Sequence, residues 1–89
     1  MIKWQDVLEK AKLCMSQDEM KKITAHESAG RHGEVTYEIN ILMQNAEAGA
    51  LDSVYNGDCD LAIFSHYRNV VDLFQLHEEY RDEQYVAGL

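Results

Sequence analysis

The feature that most constrains this chain is the stretch 61–83, entered through Asp58 or Asp60 and uninterrupted by proline. Leu61, Phe64, Tyr67, Val71 and Phe74 recur there at helical spacing, and Ile63, Val70 and Leu73 widen the same face. The pattern predicts one long helix, roughly 35 Å from end to end at 1.5 Å per residue. In a chain of 89 residues the remainder has to pack across such a helix. A hydrophobic fraction of 46% and a charged fraction of 27% fit one small globular domain, 1–89, with a modest core.

The other elements are shorter. Residues 2–14 read as an amphipathic helix, with Trp4, Val7, Leu8, Ala11 and Met15 on one side and Asp6, Glu9, Lys10 and Lys12 on the other. Ser16 with Glu19 three residues on is a capping box and predicts a second helical start. Gly30-Arg31-His32-Gly33 is a turn signal. Beyond it, Glu34–Gln44 fits two periods. Period two puts Val35, Tyr37, Ile39, Ile41 and Met43 together; period 3.6 aligns Val35, Ile39, Leu42, Met43, Ala46 and Ala50 and leaves Tyr37 and Ile41 on the wrong side. The β-branched and aromatic content favours a strand, which needs a partner, and Lys21–Ser28 across the turn supplies one. Residues 45–55 read as a short helix stopped at Asn56-Gly57. The expected fold is therefore α+β and mostly helical: an N-terminal helix, a short antiparallel hairpin around Gly30–Gly33, a short helix and the long C-terminal helix. The alternative is an all-α four-helix bundle in which 34–55 is one helix.

Charge is distributed unevenly. All five lysines fall in the first 22 residues, and residues 1–33 hold six basic and five acidic side chains, a net of +1. Residues 34–89 hold two basic residues, Arg68 and Arg81, and eleven acids, a net of −9, which with the +1 gives the overall −8. Phosphate contacts need a basic surface, so direct nucleic-acid binding is disfavoured. The N-terminus mixes charge with its apolar residues and reads as no signal peptide, and no apolar run reaches the ~18 residues of a membrane span. Cys14 and Cys59 form no secreted-type disulfide framework and read as reduced, packed thiols. The expected location is the cytoplasm.

Chemical motifs are weak. Asp52, Asn56, Gly57, Asp58 and Asp60 fall on positions 1, 5, 6, 7 and 9 of a calcium loop, but Val54 and Ile63 occupy positions that need oxygen ligands. His26-Glu27-Ser28-Ala29-Gly30-Arg31-His32 concentrates polar groups in one loop without matching a metalloprotease, phosphate-loop or nucleophile pattern. No Cys or His pairing at zinc spacing occurs. Neither catalytic residues, a metal nor a cofactor is expected.

The sharpest candidate is the acidic end of the last helix. Asp72, Glu79 and Glu83 stack on one side with Glu78 and Asp82 beside them, and Tyr80 and Tyr85 lie between the acids. Glu78–Asp82 and Glu79–Glu83 are like-charge i,i+4 pairs near the negative end of the helix dipole, with only Arg81 to relieve them. Carboxylates at this spacing imitate a phosphate backbone and can occupy a basic groove built for nucleic acid. The expected function is a non-catalytic inhibitor, a DNA mimic that blocks a basic nucleic-acid-handling protein through Asp72, Glu78, Glu79, Tyr80, Asp82, Glu83 and Tyr85, with Arg31 as a further contact. Small acidic viral anti-defence proteins, anti-CRISPR proteins among them, and antitoxins of basic ribonucleases work this way; the likeness is one of physical kind, since no residue motif here identifies either family. The alternative is a small structural or regulatory module that self-associates, as a homodimer, through apolar faces and is acidic for solubility.

Overall fold

The computed structural model describes residues 1–58 and 60–88. Among them the chain forms four helices and no strand: α1 (Trp4–Ala11), α2 (Gln17–Ser28), α3 (His32–Tyr55) and α4 (Leu61–Ala87). The α+β expectation is thus corrected to the all-helical alternative. Lys21–Ser28 lies in α2, not a strand, and Glu34–Gln44 and 45–55 are one continuous helix. The reason is visible in burial. Val35, Ile39, Ala46 and Ala50 are buried along a single 3.6-period stripe, while Tyr37 is 60% and Ile41 37% exposed, the two residues that stripe leaves out. A two-stranded hairpin would have left both of its edges unpaired, whereas one long helix makes its backbone hydrogen bonds within itself and buries its stripe against α4.

The Gly30–Gly33 segment that suggested a hairpin ends one helix and begins the next. Gly30 adopts φ 76°, its N–H reaches the Glu27 carbonyl at 3.1 Å, and the Arg31 N–H reaches the His26 carbonyl at 2.9 Å. This is the Schellman closure of a helix C-terminus. Gly57, φ 69°, closes α3 in the same way, with Gly57 N–H on Val54 at 3.1 Å and Asp58 N–H on Ser53 at 2.9 Å. The expected capping box is present: the Ser16 hydroxyl accepts from the Glu19 N–H at 3.2 Å and Glu19 accepts from the Ser16 N–H at 3.0 Å. At α4 the Asp60 carboxylate accepts from the Ala62 N–H at 2.9 Å.

Short connections make α2, α3 and α4 run antiparallel in turn. α3 packs on α4, α1 on α4 and α2 on α3. At 1.5 Å per residue α1 and α2 are roughly 12 and 18 Å long against roughly 36 and 40 Å for α3 and α4, so they cover one end of the long hairpin. The largest continuous core sits there: Val7, Ala11, Met15, Ile23, Val35, Ile39, Leu73 and Tyr80. Beyond it α3 and α4 continue as a pair, closely approached through Ala46, Ala50 and Ser53, and the molecule is elongated, 48 × 25 × 19 Å. The inner face of α4 also differs from the expected stripe. Val70, Leu73, His77 and Tyr80 are buried, whereas Leu61 is exposed and Phe64, Tyr67, Val71 and Phe74 are half-buried. Apolar residues nearly encircle the first half of α4, so periodicity alone leaves its orientation open; the polar His77 and Tyr80 decide it by finding partners inside.

Candidate functional site

The C-terminal half of α4 carries two different surfaces. Its inner edge meets the α2–α3 turn in a polar network centred on Glu27. Arg81 donates from Nη2 to Glu27 Oε1 at 2.7 Å and from Nη1 to Oε2 at 3.4 Å. The Tyr80 hydroxyl donates to Glu27 Oε2 at 2.9 Å and accepts from Gln84 Nε2 at 2.7 Å. His32 Nδ1 stands 3.1 Å from Glu27 Oε1 and 3.0 Å from Arg81 Nη1, serving one or the other according to its tautomer. His77 Nε2 accepts from Arg81 Nη2 at 3.2 Å. Tyr80 also stacks at a tilt on Trp4, centroids 5.7 Å apart, with the Arg81 guanidinium over its ring at 5.2 Å.

The electrostatics follow from this geometry. Burial works against charge on Glu27, but hydrogen bonds from Arg81, Tyr80 and His32 outweigh it and hold the carboxyl below its ordinary value. Burial, helped by the Arg81 charge, lowers His77 to about 4, which suits its role as a neutral acceptor. Burial and the hydrogen bond to Glu27 raise the Tyr80 phenol. Both Glu27 oxygens are engaged by neighbours, so the cluster joins three elements and turns no free carboxylate lone pair toward an open cleft. Elsewhere, burial and Glu19 push the Cys14 thiol up to about 11, leaving little thiolate.

The outer edge of α4 is the expected acidic face. Glu78, Glu79 and Asp82 are exposed, and among the described residues none of them lies within ion-pair distance of a cation. Tyr85, 72% exposed, stands beside them with Val86. Other predicted site residues have structural duties. Tyr80 is 4% exposed and belongs to the core. Glu83 accepts the backbone N–H of Ile2 with both oxygens, at 3.0 and 3.1 Å, and ties the N-terminus to α4. Asp72 is half-buried, more than one and a half helical turns before the acidic end. Arg31, at the far side of the α2–α3 turn, donates from Nε to His26 Nδ1 at 2.9 Å.

Glu27, His32, His77 and Gln84 were not legible as a cluster. The polar 26–32 segment and the i,i+4 spacing of His77–Arg81 and Tyr80–Gln84 were the available signals, but only the fold joins them. Among the described residues no three His, Cys, Asp or Glu side chains converge to hold a metal. Asp52 lies within α3, and the Asp58 carbonyl accepts from the Ser53 hydroxyl. Cys59 lies outside the described residues. No helix among them is long and apolar enough to cross a membrane. No protein-family model matches the chain, and no curated protein or solved structure matches it.

Proposed function

We propose that this protein is a non-catalytic inhibitor whose acidic α4 face, Glu78, Glu79 and Asp82 with Tyr85 alongside, occupies a basic nucleic-acid groove on a cytoplasmic partner. One observation carries the reading. Arg81, the only cation in the acidic stretch, is turned inward onto Glu27 at 2.7 Å, so it neutralises a largely buried carboxylate and leaves the exposed acids uncompensated. Glu79 and Asp82 point outward on successive turns of a helix that the rest of the molecule anchors from within. Such a surface offers closely spaced negative charge at fixed positions, which is what a groove lined by Lys and Arg accepts in place of phosphates. Exposed tyrosine beside the acids supplies contact area.

The test is retention of a basic nucleoprotein or nuclease from bacterial lysate on the immobilised protein at low salt. Glu79→Lys/Asp82→Lys is the informative variant, because Glu83 holds the N-terminus and its loss would confuse binding with folding. The expected result is loss of the retained partner, fading of the difference as salt rises, and release of nucleic acid from the partner by the wild type alone. Equal retention by variant and wild type at low salt rejects the proposal.

A further inference from the structure

α1 packs on α4 and α2 on α3, which leaves these two short helices facing one another across an open groove of about 540 Å³. Gln5, Leu8 and Lys12 form one wall; Met20, Lys21 and Ala25 lie on the other. The lining is mainly apolar: Leu8 and Met20 pack against the core on one side and are half-buried, leaving their other side open to the groove. Lys12 and Lys21 are exposed at the rim and have no ion-pair partner among the described residues, whereas the adjacent Lys22 is held by Glu38 at 3.0 Å. The groove therefore asks for a short helical ridge that is apolar along its crest and acidic on its flanks.

The same chain carries such a ridge. Tyr85 and Val86 are 72% and 67% exposed and lie beside Glu78, Glu79 and Asp82 on the outer face of α4. From Glu78 to Val86 the ridge runs roughly 12 Å, matching the roughly 12–18 Å of α1 and α2. It lies on the side of α4 opposite the buried Val70, Leu73, His77 and Tyr80, so it is not turned toward its own groove. We propose that the α1–α2 groove receives the acidic α4 ridge of a second copy, Lys12 and Lys21 opposing Glu79 and Asp82, so that the protein self-associates head to tail. The contact joins two different surfaces; it closes on itself if the rotation permits and otherwise extends into short chains. It also covers the acidic face, so a basic partner and a second copy compete for one ridge.

Sedimentation velocity over a concentration series tests this. The wild type is expected to associate reversibly, and Lys12→Glu/Lys21→Glu and Glu79→Lys/Asp82→Lys each to weaken association at least tenfold. All four positions are exposed, Lys21, Glu79 and Asp82 on helices and Lys12 at the C-cap of α1, and circular dichroism checks that each variant keeps its helix content. Mixing the two variants pairs an acidic groove with a basic ridge, and a one-to-one complex is expected to reappear although each variant alone is monomeric. The Lys12→Glu/Lys21→Glu protein keeps its acidic face, so retention of a basic partner by this variant separates the groove contact from the inhibitor reading. A wild type that stays monomeric to about 1 mM, unchanged association in the lysine variant, or failure of the mixture to pair overturns the proposal. So does association abolished by Leu51→Glu/Val54→Glu with the lysines intact, which assigns it to the far end of the hairpin.

Discussion

Arg81 stands among Glu78, Glu79, Asp82 and Glu83 in the sequence, yet its guanidinium lies against Glu27, 10% exposed at its side chain. Removing one partner of a hydrogen-bonded, largely buried pair leaves the other charge without an answer. Glu27→Gln is expected to cost about 2–3 kcal/mol in urea unfolding, and Arg81→Met, which strands the more deeply buried Glu27 carboxylate, at least as much. His77 sets the pH response. Its value of about 4 in the folded protein lies below the ordinary 6.5, so between these limits the unfolded chain binds the proton more readily. Its contribution is complete above pH 6.5 and is lost as the pH falls toward 4. Glu27, also lowered, adds a second loss below 4.5. The melting temperature is therefore expected to fall from pH 6.5 to 4, and His77→Gln, which keeps an acceptor for Arg81 but cannot titrate, to flatten that fall. A variant with the wild-type slope would show that another group governs it.

The elements begin and end where local chemistry directs. Ser16 and Glu19 satisfy each other's backbone donors at the start of α2, and Ser16→Ala is expected to cost about 1 kcal/mol by thermal or chemical unfolding. Gly30 and Gly57 occupy left-handed positions with open space around a would-be Cβ, so Gly57→Ala acts through backbone strain alone, about 1 kcal/mol. These signals are readable: the capping box and the Asn56-Gly57 stop stand where the residues put them, and of the two aspartates offered as the cap of α4 it is Asp60 that caps. The α2–α3 junction was not read correctly, because a Gly that closes a helix and a Gly that turns a hairpin look alike in sequence. The 34–44 segment fitted two periods, and its β-branched residues tilted the reading toward a strand. Helix propensity differences among such residues are a few tenths of a kcal/mol each, too small to resist the burial of a whole stripe on α4.

At the scale of the molecule, stability is concentrated at one end. Val7, Ile23, Val35, Ile39 and Leu73 are essentially fully buried in one cluster, while the distal hairpin exposes Leu51, Val54, Tyr55 and Leu61. Local opening follows buried apolar contact. Amide exchange is expected to be slowest at 35–39 and 73–77 and faster by one to two orders of magnitude, about 1.4 kcal/mol per tenfold, at 47–55 and 61–66. Uniform protection would mean that a second copy or another partner covers the distal end. Charge is uneven as well: Lys12 and Lys21 flank the α1–α2 groove, and Glu78, Glu79 and Asp82 of α4 remain outward because their only local cation has turned in.

The sequence by itself determined the start of α2, the end of α3, the entry to α4 and the amphipathic first helix, since caps and glycine stops act within a few residues and need no distant partner. It also determined the separation of lysines from acids. Only the tertiary structure decided that 34–55 is one helix, which side of α4 faces inward, and that Tyr80 and Glu83 are structural whereas Glu78, Glu79 and Asp82 are free. The reason is common to all three. Each depends on a partner in another part of the chain: Val35 and Ile39 on α4, Tyr80 on Glu27, a separation of 53, and Glu83 on Ile2, a separation of 81. No period or propensity along the chain encodes where such partners will stand.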